Sequence, residues 1–346
     1  APRPNPGEPR RGAGPVRRHA PDESEVNRAM TDEGNPVRPA DQPVCVAVDW
    51  GTSRLRAHLV GEGGRTLDGV ASDDGMSRVT GGDFEAVLTR LCGPWLAAHP
   101  GLPVVMAGMV GSRNGWREVP YVACPAGLAQ IAAGMLSFAT AAGTRVGIVP
   151  GLVVDGDASD VMRGEETEIL GIGVDDAVVV LPGTHSKWAT LRAGRIETFR
   201  TFMTGEVFGL LTGQSVLRLL RRPPTDLEAE HAAFRAGLAA ASAGGGILAR
   251  AFHARAGVLT GRLSPHDVDP YLSGLLIGSE VAEAIGLAPA DLPLILVAGG
   301  VVADNYRVAI EAAGRPVTLV DPERAFVDGL VRIARHHREV PDVGAR

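Results

Sequence analysis

The sequence predicts an α/β protein built as two related halves, on three observations. Short aliphatic runs end in glycine-bearing turns, as Val44–Val48 does before Asp49-Trp50-Gly51-Thr52. Longer stretches with apolar residues at helical spacing alternate with these runs. One arrangement of strand, tight turn and second strand occurs twice, over Val46–Leu59 and over Val179–Leu191.

The elements follow in chain order. Val44–Val48 reads as a buried strand, and Leu55–Val60 as its hairpin partner. Phe84, Val87, Leu88, Leu91 and Trp95 place a helix over 83–98. Pro103–Met109 and Val146–Val154 read as strands, with a helix over Asp160–Gly171 after them. Ala177–Leu181 and Trp188–Leu191 form the second hairpin. Helical patterns cover 205–220, 228–256 and 270–285. Leu294–Val297 is a strand ending in Ala298-Gly299-Gly300, with a helix near 303–313, a short strand at Pro316–Val320 and a closing helix over 323–337. The expected domains are 44–165 and 166–346, divided near the helix of 160–171, with the closing helix returning to the first.

Residues 1–43 stand apart. They hold nine prolines and seven arginines with few apolar residues, a composition that does not bury enough surface to fold. Met30 offers an internal start. The remaining composition, 45% hydrophobic and 21% charged, supplies a sizeable core. A net charge of −6 argues against a nucleic-acid partner, and no apolar run reaches membrane-spanning length. Cys45, Cys92 and Cys124 lie far apart, outside any metal-ligand spacing, and read as small hydrophobes of a reducing, cytoplasmic compartment.

Three turns carry the chemistry. In the first, a buried strand delivers Asp49 to its end, Gly51 lets backbone N–H groups approach an anion, and Thr52 and Ser53 add hydroxyls. A carboxylate beside such a cradle suits Mg²⁺, so Asp49 is the candidate metal ligand; an Asx-turn closing a hairpin is the plainer reading. The second turn is Pro182-Gly183-Thr184-His185-Ser186-Lys187. Lys187 is the one lysine of the chain, against 33 arginines. A compact ammonium beside a Gly-Thr turn suggests a phosphate contact, a leftover surface lysine being the alternative. His185 is either a phosphate donor or a packed side chain. The turn is no Walker loop, since G-x-x-x-x-G-K-[ST] is absent. The third turn, Ala298-Gly299-Gly300, permits close approach of a flat ligand or of phosphate at a helix N-terminus.

Together, in this order, the three turns resemble the phosphate-1, phosphate-2 and adenosine motifs of the sugar kinase, hexokinase, heat-shock-protein-70 and actin superfamily. Between them, Asp157-Ala158-Ser159-Asp160-Val161-Met162-Arg163-Gly164-Glu165 resembles the catalytic stretch of bacterial glucokinases. That resemblance makes Asp157 the general base, with Asp155 and Asp160 as competitors and a helix-capping role as the plain alternative. A closer resemblance rests on Asp49-Trp50-Gly51-Thr52, Met106-Ala107-Gly108-Met109-Val110-Gly111-Ser112, Met162-Arg163-Gly164-Glu165-Glu166-Thr167, Pro182-Gly183-Thr184-His185-Ser186-Lys187-Trp188 and Met203-Thr204-Gly205-Glu206. By these blocks the chain, from about Val44 to about Arg335, is similar to the 2-dehydro-3-deoxygalactonokinases. Arg54 departs from the smaller polar residue common there.

The resemblance implies a two-domain actin-like ATPase (ribonuclease-H-like) fold with an interdomain cleft, ATP and Mg²⁺ as cofactors, and a small sugar acid as substrate. It implies ATP-dependent phosphorylation of the C6 hydroxyl of 2-dehydro-3-deoxy-D-galactonate in galactonate catabolism. Asp49, Gly51, Thr52, Ser53, Gly183, Thr184, His185 and Ser186 then hold the phosphates, and Gly299 and Gly300 the adenosine. Lys187 offsets charge on the moving phosphoryl group. Arg163 is the candidate for the substrate carboxylate, with Arg56 and Arg113 as alternatives, and Ser112, Asn114 and Glu206 for its hydroxyls. The plainer readings pair Arg163 with Glu165 or Glu166 and start a helix at Glu206. Trp116 and Tyr121 are expected to pack. A kinase for another sugar or keto-deoxy acid, and a non-catalytic nucleotide-binding regulator, are the competing functions; a serine hydrolase is excluded because G-x-S-x-G is absent. Oligomeric state is left open, with a homodimer as one option.

Overall fold

The computed structural model describes residues 17–18, 42–223, 225–243 and 246–339. Its strands are β1 (Arg17–Arg18), β2 (Pro43–Trp50), β3 (Leu55–Gly61), β4 (Thr66–Ser72), β5 (Val104–Ala107) and β6 (Val122–Ala123). Next come β7 (Ala126–Gly127), β8 (Leu136–Ala139), β9 (Arg145–Ile148), β10 (Leu152–Val154) and β11 (Asp160–Met162). The last five are β12 (Ala177–Leu181), β13 (Ser186–Arg192), β14 (Arg195–Phe202), β15 (Leu294–Val297) and β16 (Val317–Val320). The α-helices are α1 (Phe84–Ala98), α2 (Leu128–Ala133), α3 (Glu165–Ile172), α4 (Thr204–Gly213) and α5 (Leu227–Ser242). They continue with α6 (Ile247–Leu259), α7 (Val268–Leu287), α8 (Gly300–Ala312) and α9 (Pro322–Glu339).

The chain forms two units, each discontinuous: Ala1–Val119 with Met135–Val149, and Pro120–Gly134 with Pro150–Arg346. The division therefore involves three crossings, at 119/120, 134/135 and 149/150, where the sequence suggested a boundary near 165 and a return of the closing helix. Pro150-Gly151 marks the last of them. It splits the expected single strand of 146–154 into β9, in the first unit, and β10, in the second.

The first unit carries a sheet of order β1-β4-β3-β2-β5-β9-β8. Strands β4, β3 and β2 form an antiparallel meander; β5 and β9 then add in parallel to β2. Aliphatic β2 and β5 are buried on both faces, as central parallel strands require. Within the segment expected to stay outside the fold, Arg17–Arg18 pairs with β4 at Ala71 and Val70. The other residues of 1–41 lie outside the described residues.

The second unit repeats the plan. Its main sheet has the order β16-β15-β12-β13-β14-β7. Strands β14, β13 and β12 form the meander, and β15 and β16 add in parallel. The echo seen in sequence is thus a repeated five-strand order, β4-β3-β2-β5-β9 and β14-β13-β12-β15-β16. The closing helix α9 belongs to the second unit, where it packs on α3 and α2.

Each unit has its own apolar core. In the first, Trp50, Phe84, Trp116 and Phe138 interlock under the end of β2, with Phe84 and Trp116 stacked at 6.2 Å. Trp116 packs as expected. In the second, β12 and β15 are covered by α7 and α8 through Ile277, Val281, Tyr306 and Ile310. Cys45 and Cys92 are buried core thiols, and burial pushes the Cys92 thiol up to about 12.

Candidate active site

In the first unit, the candidate residues stand at the carboxyl ends of parallel strands β2 and β5, where open α/β sheets place ligands. Asp49 is the penultimate residue of β2. Its carboxylate is half-buried and faces the Arg56 guanidinium at 3.2 Å. The turn that follows closes through Gly51 N–H to the Arg54 carbonyl, at 3.0 Å. The segment 75–77 braces it: Met76 and Ser77 donate to the Gly51 and Thr52 carbonyls at 2.9 and 3.0 Å. This bracing requires Gly75, because a Cβ there would lie 2.2 Å from the Ser53 carbonyl carbon. Thr52 and Ser53 remain exposed.

The loop after β5 abuts the same turn. Gly108 has φ +95°, and a Cβ on it would lie 2.9 Å from the Trp50 carbonyl oxygen. Ser112 donates to the Met76 sulfur at 3.4 Å, joining this loop to the bracing segment. Asn114 is exposed at the loop tip. Sequence reasoning missed Gly75 and the bracing role of 75–77, since neither residue type nor spacing marks a segment that works through backbone hydrogen bonds.

In the second unit, Pro182–His185 joins β12 to β13, with Gly183, Thr184 and His185 exposed. Helix α4 begins directly against this turn: Glu206 N–H donates to the Thr184 carbonyl at 2.9 Å. Gly205 makes the approach possible, since a Cβ there would lie 2.4 Å from the Gly183 carbonyl oxygen. Glu206 does start a helix, and one of its carboxylate oxygens lies 2.5 Å from His185 Nε2.

Two residues of this turn differ from expectation. Ser186, expected among the phosphate-binding hydroxyls, is fully buried, with its Oγ 2.8 Å from Tyr306 Oη. Lys187, expected as an open cation, is 4% exposed. Its ammonium is 3.1 Å from a Glu165 carboxylate oxygen and donates to the His185 carbonyl at 3.1 Å. Ser186 and Lys187 are neighbours on β13, so their side chains leave opposite faces of the sheet, and both are buried because both faces are covered there.

The candidate base lies in the loop from β10 to β11, and the structure separates the three aspartates. Asp155 accepts from Gly156 N–H at 3.0 Å, closing its own turn. Asp160 accepts from Thr201 N–H and Oγ1 at 2.6 and 2.7 Å, locking β11 to β14. Asp157 is exposed and takes no part in these bonds. The expected helix of 160–171 starts only at Glu165, because Asp160–Met162 pairs with β10 as a strand. Gly164 at φ +115° makes the corner.

At that corner Glu165 accepts from Arg163 N–H at 3.0 Å while holding Lys187. The Arg163 guanidinium carbon lies 4.3 Å above the ring of Tyr121, which supports it from below. Glu166 is fully buried and accepts from Gly164 N–H at 2.7 Å. Burial, reinforced by neighbouring Glu165, pushes its carboxyl up to about 8.

The third turn stands at the carboxyl end of β15. Gly299 is the N-cap of the 13-residue α8, and Gly300 has φ +59°. Both are exposed, and a Cβ on either would meet nothing within 4 Å. Packing therefore does not demand glycine here. Bare backbone at a helix N-terminus fits a flat or anionic group laid against it.

Among the described residues no group of three His, Cys, Asp or Glu side chains could hold an ion alone. Asp49 offers one half-buried carboxylate. That donor set fits Mg²⁺ arriving on phosphate oxygens and keeping its waters, and does not fit a resident ion.

The family described as 2-keto-3-deoxy-galactonokinase matches residues 49–333. The chain belongs to that family. It is 38% identical over 292 residues to the 2-dehydro-3-deoxygalactonokinase of Escherichia coli (strain K12), covering 84% of this chain and 97% of that protein. It is 36% identical over 296 residues to a Rhizobium meliloti (strain 1021) protein described as a probable 2-dehydro-3-deoxygalactonokinase, covering 84% and 96%. A crystal structure from Sinorhizobium meliloti, provisionally given the same kinase name, superposes with a TM-score of 0.76 at 36% identity, covering 86% of this chain and 99% of that one. The family is one of phosphotransferases, and the duplicated ribonuclease-H-like sheet is the actin-like kinase fold the motifs suggested. No described helix is long and apolar enough to cross a membrane.

Proposed function

We propose that this chain catalyses ATP-dependent phosphorylation of the C6 hydroxyl of 2-dehydro-3-deoxy-D-galactonate, giving the 6-phosphate in galactonate breakdown in the cytoplasm. The family match over residues 49–333 carries this reading. The arrangement of glycine turns at strand ends, with an exposed aspartate in the expected stretch, supports it.

Phosphoryl transfer asks a protein mainly for positioning and charge neutralisation. Thr52, Ser53 and the backbone of the first turn bind phosphate oxygens, as do Gly183, Thr184 and His185 of the second. Glu206 orients His185 for that contact. Lys187 serves the second turn from beneath, fixing the His185 carbonyl against Glu165. Ser186 does the same through Tyr306. Gly299 and Gly300 receive the adenosine. Mg²⁺, when bound with the nucleotide beside Asp49, supplies neutralisation of phosphate charge. Asp157 accepts the proton of the attacking hydroxyl. Arg163, held flat on Tyr121, presents its guanidinium to the substrate carboxylate. Ser112 and Asn114 offer polar groups to the sugar hydroxyls.

Coupled ATP-to-ADP turnover tests the reading, with the galactonate-derived acid, its gluconate epimer and no acceptor compared side by side. The expected result is turnover with the galacto acid, reduced by about 10²- to 10⁴-fold in Asp157→Asn with ADP binding retained. Equal turnover of both epimers would make the chain a broader keto-deoxy acid kinase. Acceptor-independent behaviour of folded protein would sink the proposal.

A further inference from the structure

Glu280 lies in the middle of α7, is 3% exposed, and bonds two members of the second unit's apolar core, Trp188 and Tyr306. No phosphate turn includes it, and the mechanism above does not use it. A carboxylate in such a place is costly unless its oxygens are fully hydrogen-bonded. Here they are. Trp188 Nε1 donates to Oε1 at 2.8 Å, and Tyr306 Oη donates to Oε2 at 2.7 Å. Ser186 joins through Tyr306, its hydroxyl donating to Tyr306 Oη at 2.8 Å, and the Thr204 hydroxyl stands near enough to favour the ionised carboxylate.

The origins of these donors give the cluster its meaning. Ser186 and Trp188 begin β13, directly after the second phosphate turn. Thr204 is the first residue of α4, whose Glu206 N–H binds the Thr184 carbonyl of that turn. Tyr306 lies in α8, which opens at Gly299-Gly300. One buried carboxylate thus gathers side chains from the strand after the phosphate turn, the helix seated on that turn and the helix of the third turn. An apolar residue could fill the volume without setting their relative angles, whereas a satisfied polar network admits one arrangement.

We propose that Glu280 is a positioning residue for nucleotide binding, joining the phosphate turn at 182–185 to the glycine turn at 299–300. The inference rests on the kinase reading, because it assumes that both turns meet one nucleotide. It predicts a selective loss: nucleotide affinity depends on Glu280, and sugar-acid affinity does not.

The test uses the full chain, with ADP as probe in a calorimetric titration and steady-state KM values for ATP and for the sugar acid. Glu280→Gln keeps the shape but replaces an acceptor with a donor facing donors. It should weaken ADP binding and raise the KM for ATP by about tenfold or more, since the lost bonds are to a charged group. The KM for the sugar acid should stay within about twofold. Trp188 gives an independent signature, being the only tryptophan of the second unit. In 5-fluorotryptophan-labelled protein its ¹⁹F line should move on adding ADP to wild type and stay still in Glu280→Gln. Tyr306→Phe, which removes one donor, should show the same selectivity with a smaller loss, and it decides the matter if Glu280→Gln does not fold. Unchanged ADP affinity in a folded variant, or an equal rise in both KM values, overturns the proposal. Wild type that binds no ADP sinks the kinase reading and this inference together; wild type that binds ADP beside unaffected variants sinks this inference alone.

Discussion

A lone lysine among 34 basic residues pointed to the second turn, and its position was legible while its exposure was not. Ser186 and Lys187 are neighbours on β13, leave opposite faces of the sheet, and are both buried because both faces are covered over Ser186–Ala189. That is a tertiary fact, invisible to a motif. Replacing Lys187 with Met leaves the Glu165 carboxylate, 26% exposed, without its cation. We expect a loss of about 1–3 kcal/mol in urea unfolding, and Lys187→Arg should not restore it, because the planar fork does not fit a site shaped for an ammonium. Glu166 gives a pH test. Its folded carboxyl titrates near 8, above its ordinary 4.5. The native state therefore keeps a proton that the unfolded chain releases. This contribution is complete below pH 4.5 and is lost as pH rises through 8, with a slope of up to about 1.4 kcal/mol per pH unit. Glu166→Gln should flatten that decline, read as urea midpoints at pH 5, 7 and 8.5. An equally steep decline in the variant would mean that other groups cause it.

Among the elements, the long strands and most helices followed from pattern: α1, α7, α8 and α9 fall within a few residues of their expected ranges. The misses have identifiable causes. The helical pattern of 228–256 is two helices, α5 ending at Ser242 and α6 beginning at Ile247 with Gly246 as its N-cap, since glycine disfavours one continuous helix. The short edge strand β8 alternates too weakly to be read alone, and the eight-residue β14 is too polar. Close approaches between elements left only their glycines as a trace. Gly329 of α9 would place a Cβ 1.9 Å from the Thr167 carbonyl oxygen of α3, and Gly171 would place one 1.7 Å from that of Ala325. Gly329→Ala should therefore force α9 off α3 and lower the thermal midpoint, at a cost of about 1–3 kcal/mol. Gly205→Ala meets the phosphate turn instead, at 2.4 Å from the Gly183 carbonyl oxygen. It should raise the KM for ATP several-fold while leaving far-UV dichroism unchanged; a variant with wild-type KM would show that the seat of α4 does not govern the turn.

At the scale of the whole molecule, a repeated five-strand order places a glycine turn at corresponding strand ends of both units. The repetition was visible as two hairpins with similar turns. The triple crossing of the chain between units was not, since it depends on where 120–134 and 135–149 pack. A nucleotide that binds the native fold alone raises stability by mass action, about 2.7 kcal/mol at a hundredfold excess over its Kd. ADP with Mg²⁺ should accordingly raise the thermal midpoint, and the Glu280→Gln variant should need a higher ADP concentration for the same rise. The central claim is a phosphoryl group delivered to one particular oxygen of a keto-deoxy sugar acid. The most direct measurement is ¹H–³¹P correlation NMR of the product made from ATP and 2-dehydro-3-deoxy-D-galactonate. Phosphorus coupled to the two protons on C6 is the expected result; phosphorus coupled elsewhere, or ATP left intact beside folded protein, would contradict C6 phosphorylation.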